Sequence, residues 1–342
     1  MKRISIKDIA KIAGTSPTTV SFVLNGKAKE MRISDAITKK ILSTTKKYGY
    51  KPNQIAVTLR TGQSKIIGLI VESVGGAFFG ALAKVIEAEA QKYGYRVVYC
   101  STENDPEKGK EMIKMLAHQQ VDGYIITPAA GMKDDIEDLI KQDKPVVLMD
   151  SFIPSLNVPY VLVDNYLGVK EGIESLINAG YKNIGFVTVN LDLIQISERL
   201  RGYNETLKQH KIKVDKKNIL QLSYQDSKEQ IVQKITAFLE KNTQLDAIFF
   251  ATNYLGTSGL QAIKKLRMRI PEDIAMISFD EHEIFSLYPP GISTIQQPVE
   301  EIGSTAMNLL LTQMGKKEKS SNENKIQIAP TLINRASSQA HN

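Results

Sequence analysis

The chain has 342 residues, 42% hydrophobic and 24% charged, which is enough for more than one core and too ordinary a composition for whole-chain disorder. Its single cysteine, Cys100, excludes an intrachain disulfide framework, and the apolar run YRVVYC around it marks a packed residue rather than a nucleophile. The longest apolar runs, such as IIGLIV, are far too short to span a bilayer, and MKRISIKDIAKIAG at the start lacks a continuous apolar stretch, so a cytoplasmic location without a membrane partner is expected.

The net charge of +7 is unevenly placed. Residues 1–65 hold 14 of the 44 basic residues and three of the 37 acidic ones, which leaves +11 on that segment and −4 on the rest. A polyanion-binding module on a near-neutral body fits this asymmetry.

Ser5 caps an apolar set, Ile6, Ile9, Ala10, Ile12 and Ala13, with Asp8 three residues on and Gly14 closing the helix. Ser16 caps a second helix with Pro17 at its first position, ending at Asn25-Gly26. Val20, Val23 and Leu24 share one face of it, and Pro17, Thr18, Thr19, Ser21 and Phe22 point elsewhere. A third helix runs from Ser34 through Ile37, Ile41 and Leu42 to Tyr48, with Lys39, Lys40, Lys46 and Lys47 outward. Two short helices across a tight turn, closed by a third, predict a helix-turn-helix headpiece over residues 1–52. Its small, hydroxyl-rich face can approach phosphates and base edges, so the candidate DNA contacts there are the five outward residues of the second helix, with Ser5, Ser16 and Asn25 and the basic Lys27 and Lys29.

Residues 53–65 read as a hinge helix and linker. Asn53 caps QIAVTLR, which ends at Thr61-Gly62, and fewer than about 12 residues rarely hold a helix alone in water. Ala56 is small enough for two such helices to approach closely, and Leu59 is an apolar wedge.

From residue 66 short apolar runs (IIGLIV, YRVVYC, GYIITP, VVLMD, YVLVD, NIGFVTV, AIFFAT, IAMISFD, ISTIQQ) alternate with segments of helical period such as EKGKEMIKMLAHQQ. Strands apolar throughout belong to parallel sheets covered on both faces, and their number predicts two doubly wound α/β sheets. The first lobe is expected at about 66–163 and 297–325, and the second at about 164–296 and 326–338. Ligands of such sheets bind at the carboxyl ends of strands. Those positions hold Glu72-Ser73 with Phe78-Phe79 downstream, Thr127, Asp150-Ser151 and Asn190, then Tyr224, Asn253-Tyr254, Asp280-Glu281 and Gln297.

Met112 and Met115 fall on an apolar helix face as packing residues. His118, His210, His282 and His341 show no metal-ligand spacing, and Gly75-Gly76 forms no phosphate-loop motif, so neither metal nor other cofactor is expected. An α/β enzyme with an accessory DNA-binding domain would require a nucleophile, base and oxyanion donors that do not assemble from these residues. A transport-type binding protein would share the two-lobed body but needs a secretory signal and has no use for a basic headpiece.

The run IKDIAKIAGTSPTTVSFVLNG, followed in order by YGYKPNQIAVTLRTGQSKIIGLI, resembles the headpiece and hinge of the lactose-repressor (LacI/GalR) family, and the stretch NGKAKEMRIS resembles the fructose-repressor branch. The resemblance runs almost to the C-terminus. It implies an all-α helix-turn-helix headpiece on a two-lobed, periplasmic-binding-protein-like core: a non-enzymatic transcriptional regulator of carbohydrate metabolism, probed by a sugar, phosphosugar or purine-like effector and bound as a homodimer to a pseudo-palindromic operator. It also implies base contacts from Pro17, Thr18 and Phe22, where the last replaces the family's usual arginine. Paired hinge helices would enter the minor groove with Leu59 levering a base step open. Effector recognition falls on Asp150, Arg199, Asn253 and Asp280, with Tyr224 stacking; Ser73, Phe78, Phe79 and Gln297 complete the expected pocket. Tyr254 stands where the family commonly has an aspartate. The tail KIQIAPTLINRASSQAHN has no leucine heptads, so no assembly beyond a dimer is expected.

Overall fold

The computed structural model describes residues 4–50, 58, 61–318 and 324–339. The chain divides into two compact units, residues 1–64 and 65–342. Hinge residues Asn53, Ala56 and Leu59 lie outside the described residues.

In the first unit α1 (Ile6–Ala13), α2 (Pro17–Leu24) and α3 (Asp35–Lys47) enclose Ile9, Ala10, Ala13, Val20, Val23 and Ile41. A full capping box opens α1: the Asp8 amide donates to the Ser5 hydroxyl at 3.3 Å and the Ser5 amide donates to the Asp8 carboxylate at 2.9 Å. Gly14 ends it at φ 71°, a left-handed turn that glycine enters without steric cost. Three expected core residues are instead exposed, Ile12 at 43%, Ile37 at 37% and Leu42 at 49%. Helices this short close over one narrow stripe each, and on α3 that stripe is Ile41 and Thr44.

The second unit contains two six-stranded sheets. The first is ordered β11-β5-β4-β3-β1-β2, from β1 (Ile66–Val71), β2 (Arg96–Ser101), β3 (Gly123–Ile126), β4 (Val146–Met149), β5 (Tyr160–Val163) and β11 (Lys325–Ile328). The second is ordered β12-β10-β9-β8-β6-β7, from β6 (Ile184–Asn190), β7 (Ile219–Ser223), β8 (Ala247–Phe250), β9 (Ala275–Phe279), β10 (Ser293–Gln296) and β12 (Thr331–Ile333). Every pair is parallel except β10 with β12, and helices α4 (Ala77–Lys92), α5 (Pro106–His118) and α6 (Lys133–Lys141) serve the first lobe. Helices α7 (Asn165–Asn178), α8 (Ile194–Gln209), α9 (Lys228–Lys241), α10 (Asn253–Lys265) and α11 (Glu283–Leu287) serve the second, and α12 (Val299–Gln313) packs back on α4 and the first sheet.

The chain crosses between lobes three times, after β5, after β10 and between β11 and β12. The last crossing corrects the expected boundary: residues 326–328 pair with β5 in the first sheet rather than the second. Only Ala329-Pro330 separates KIQI from TLI, and a proline without an N–H interrupts the ladder there.

Candidate functional site

Because both sheets point their strand carboxyl ends toward the junction of the lobes, polar strand-end residues from each converge on one cleft. All nine expected ligand residues line it: Ser73, Phe78, Phe79 and Asp150 from the first lobe, Arg199, Tyr224, Asn253 and Asp280 from the second, and Gln297 at the second crossing. Of the other strand-end residues, Asn190 is solvent-exposed and Thr127 is buried away from the cleft.

Arg199 is the pivot. Its side chain is buried, with Nε donating to Asn165 Oδ1 at 2.8 Å and Nη1 donating to the Ala251 carbonyl at 2.6 Å. Nη1 also lies 3.7 Å from Asp280, and the guanidinium stacks 3.6 Å from the centre of the Phe279 ring. The carboxylates of Glu198 and Glu205, on the same helix, pair with Arg201 and not with Arg199. Gly202 fixes this arrangement: a Cβ there would sit 2.9 Å from the Tyr166 carbonyl oxygen, so glycine lets α8 approach α7 closely enough for Arg199 to reach Asn165. Asp164 caps α7 by accepting from the Leu167 amide at 2.8 Å.

Asp150 and Asp280 hold matching places, each the first residue after the third strand from its sheet's β11 or β12 edge. Both adopt left-handed backbone, φ 66° and 68°. Asp150 accepts from Gln195 Nε2 at 3.1 Å, and Asp280 accepts from Gln297 Nε2. Burial pushes the Asp150 carboxyl up to about 7; Arg199 opposes the rise, and Asp280 and Glu72 add to it. Burial also raises Glu72, which accepts a hydrogen bond from the Tyr224 hydroxyl across the cleft. The Tyr224 and Tyr254 hydroxyls are raised as well, first by burial and then by Glu72.

Glu72, Tyr254 and Gln195 line the cleft without having been among the expected ligand residues. The first two occupy strand-end positions. Gln195 sits four residues before Arg199 on α8, so helical spacing puts both on one face, a signal that strand ends alone do not carry.

On the headpiece, Pro17 and Thr18 are exposed and Phe22 is half-buried. Several polar side chains are engaged locally: the Ser5 hydroxyl with Asp8 at 2.7 Å, the Ser16 hydroxyl with that of Thr19 at 2.9 Å, and Asn25 Nδ2 donating to the Ser21 carbonyl at 2.6 Å. Lys27 and Lys29 are exposed on the following turn, with Lys27 a loose 3.9 Å from Glu30. His282 caps α11 rather than entering the cleft. No helix among the described residues is long and apolar enough to cross a membrane.

A capped helix-turn-helix joined to a two-lobed α/β body with a polar interlobe cleft defines a class, DNA-binding proteins that carry a small-molecule receptor. Residues 5–53 match bacterial regulatory proteins of the lacI family, and residues 173–338 match a periplasmic binding protein-like domain. The ribose operon repressor of Haemophilus influenzae is 30% identical, with 97% of this chain and 98% of that protein covered. The transcriptional regulator KdgR of Bacillus subtilis is 31% identical, with 91% of each chain covered. The fold matches that of a lac repressor dimer bound to operator and the anti-inducer ONPF, with a TM-score of 0.85 at 23% identity over 99% of this chain and 100% of that one. The chain belongs to the lacI family of bacterial regulatory proteins and is a DNA-binding transcriptional regulator.

Proposed function

We propose that the protein binds an operator duplex as a homodimer through α2, with affinity set by a small oxygen-rich effector in the interlobe cleft. One observation carries the reading: strand-end polar groups of both lobes meet around a single buried guanidinium. Carboxylate and amide acceptors suit hydroxyl groups, the arginine fork suits oxygens, and the aromatic rings suit a ring face. A ribose operon repressor among the relatives supports a carbohydrate.

On the DNA side, Pro17, Thr18 and Phe22 face base edges, while Ser5, Ser16, Thr19, Ser21, Asn25, Lys27 and Lys29 position the headpiece on phosphates. Phe22 cannot make a bidentate guanine contact and packs instead on a thymine methyl. Asn53, Ala56 and Leu59 would order on the minor groove. Because the cleft is built from both lobes, an effector that bridges them changes lobe placement and with it the geometry of a dimer's two headpieces. Coupling of this kind is typically about 1 to 3 kcal/mol, or roughly 5- to 150-fold in affinity. Titration of operator binding by fluorescence anisotropy, with and without saturating effector, tests the reading; equal affinities in the two titrations refute it.

A further inference from the structure

The cleft is rich in hydrogen-bond acceptors and poor in positive charge. Glu72, Asp150 and Asp280 all line it, and Arg199 is the one basic side chain among its lining residues. That guanidinium is already opposed by Asp280 at 3.7 Å and by Asp150. Among the described residues no group of three or more His, Cys, Asp or Glu is placed to hold a metal ion.

Two further atoms show what the cleft lacks. Gln195 and Gln297 are 6% and 5% exposed, and each gives its amide N–H to an aspartate. Facing a carboxylate fixes the orientation of each amide. Their carbonyl oxygens, Oε1 in both, are buried without a hydrogen-bond partner. An orphaned buried acceptor is costly, and a donor brought by a ligand relieves it. The cleft therefore holds the same unit twice, an aspartate braced by a glutamine whose oxygen awaits an O–H or N–H; one pair joins Asp150 of the first lobe to Gln195 on α8 of the second, and the other joins Asp280 to Gln297 at the second crossing.

We infer that the effector is a non-anionic ring compound rich in hydroxyl or amino groups, whose donors are taken by the Asp150–Gln195 and Asp280–Gln297 pairs. The inference rests on the reading of the cleft as the effector pocket and narrows it, setting aside phosphorylated sugars. A phosphate brings nearly two negative charges among three carboxylates faced by one guanidinium. The α4 N-terminus also meets the cleft, where Gly76 caps without a side chain; its roughly half positive charge favours an anion, but the three carboxylates outweigh it. Phe78, Tyr224 and Tyr254 add ring faces, which accept either the C–H face of a sugar or an ammonium group.

The test is isothermal titration of the full chain with pentoses and hexoses, each in four forms: free sugar, 2-amino-2-deoxy sugar, terminal phosphate and uronate. The tightest ligand is expected among the first two forms, with its phosphate and uronate at least 100-fold weaker; comparison of the first two tells hydroxyl from amino recognition. Gln195→Leu and Gln297→Leu, checked for folding by thermal melting, should each weaken that ligand ten-fold or more. A phosphate or uronate that binds more tightly than its neutral parent overturns the inference while leaving the cleft an effector site. Undiminished binding by both folded glutamine variants overturns the role of the pairs. Silence from every form overturns the pocket reading together with the inference.

Discussion

Arg199 is held on four sides, by Asn165, the Ala251 carbonyl, Asp280 and the Phe279 ring. Truncating it leaves Asp280 and Asp150 buried without their cation, the circumstance in which removing one partner of a buried pair costs about 3–5 kcal/mol. Arg199→Ala should lower urea stability by that order and abolish effector binding, while Arg199→Lys keeps charge but loses the fork and the stacking, giving an intermediate defect. Asp150 gives the unliganded protein a pH dependence. Its carboxyl is raised from 3.8 to about 7 in the folded cleft, where Arg199, Asp280, Glu72 and Gln195 face it. The folded state therefore binds more protons than the unfolded chain between those values, so its contribution is complete below pH 4 and is lost as pH rises through 7. Stability without effector should fall by on the order of 1 kcal/mol from pH 6 to pH 8, and Asp150→Asn should flatten much of that slope in thermal melts; an unchanged slope refutes the assignment.

At the scale of elements, caps and close approaches matter most. Ser16 accepts from the Thr19 amide at 3.1 Å at the start of α2, and Ser16→Ala should cost the headpiece about 1 kcal/mol, readable as a lower melting temperature of the isolated DNA-binding transition. Gly202→Ala would place a methyl 2.9 Å from a backbone oxygen; overpacking of this kind costs about 1–3 kcal/mol, and the displaced α8 should weaken effector binding as well as stability. Much of this was legible in the sequence. Capping residues, Pro17 and Gly14 announced the first two helices, and apolar runs announced parallel strands whose ends supplied all nine expected cleft residues. Gln195 was not legible because its part in the cleft depends on how α8 lies against the first lobe, a tertiary fact. Ile12 and Leu42 misled because helical spacing reports a face without reporting how wide a core that face meets. The break between β11 and β12 was hidden for a related reason: two adjacent short apolar runs do not say which sheet each one joins.

At the scale of the whole molecule, charge is unevenly divided along the chain, +11 on residues 1–65 against −4 beyond them. Binding that draws on this segment should be strongly salt-dependent, with operator affinity falling by about 10³ or more between 50 and 200 mM salt if six or more phosphates are neutralised per complex. Anisotropy titrations across that range give the slope, and a flat response would mean that the basic residues remain in solvent. The three crossings between lobes have another consequence. Neither lobe is a continuous stretch of polypeptide, and the last two strands lend one edge to each sheet. A ribosome that stops early, shortly after Gln313, strips a border strand from both halves at once, so a nonsense mutation near the gene's end harms the receptor as a whole. For the same reason neither half can be copied, swapped or inherited as a self-contained cassette.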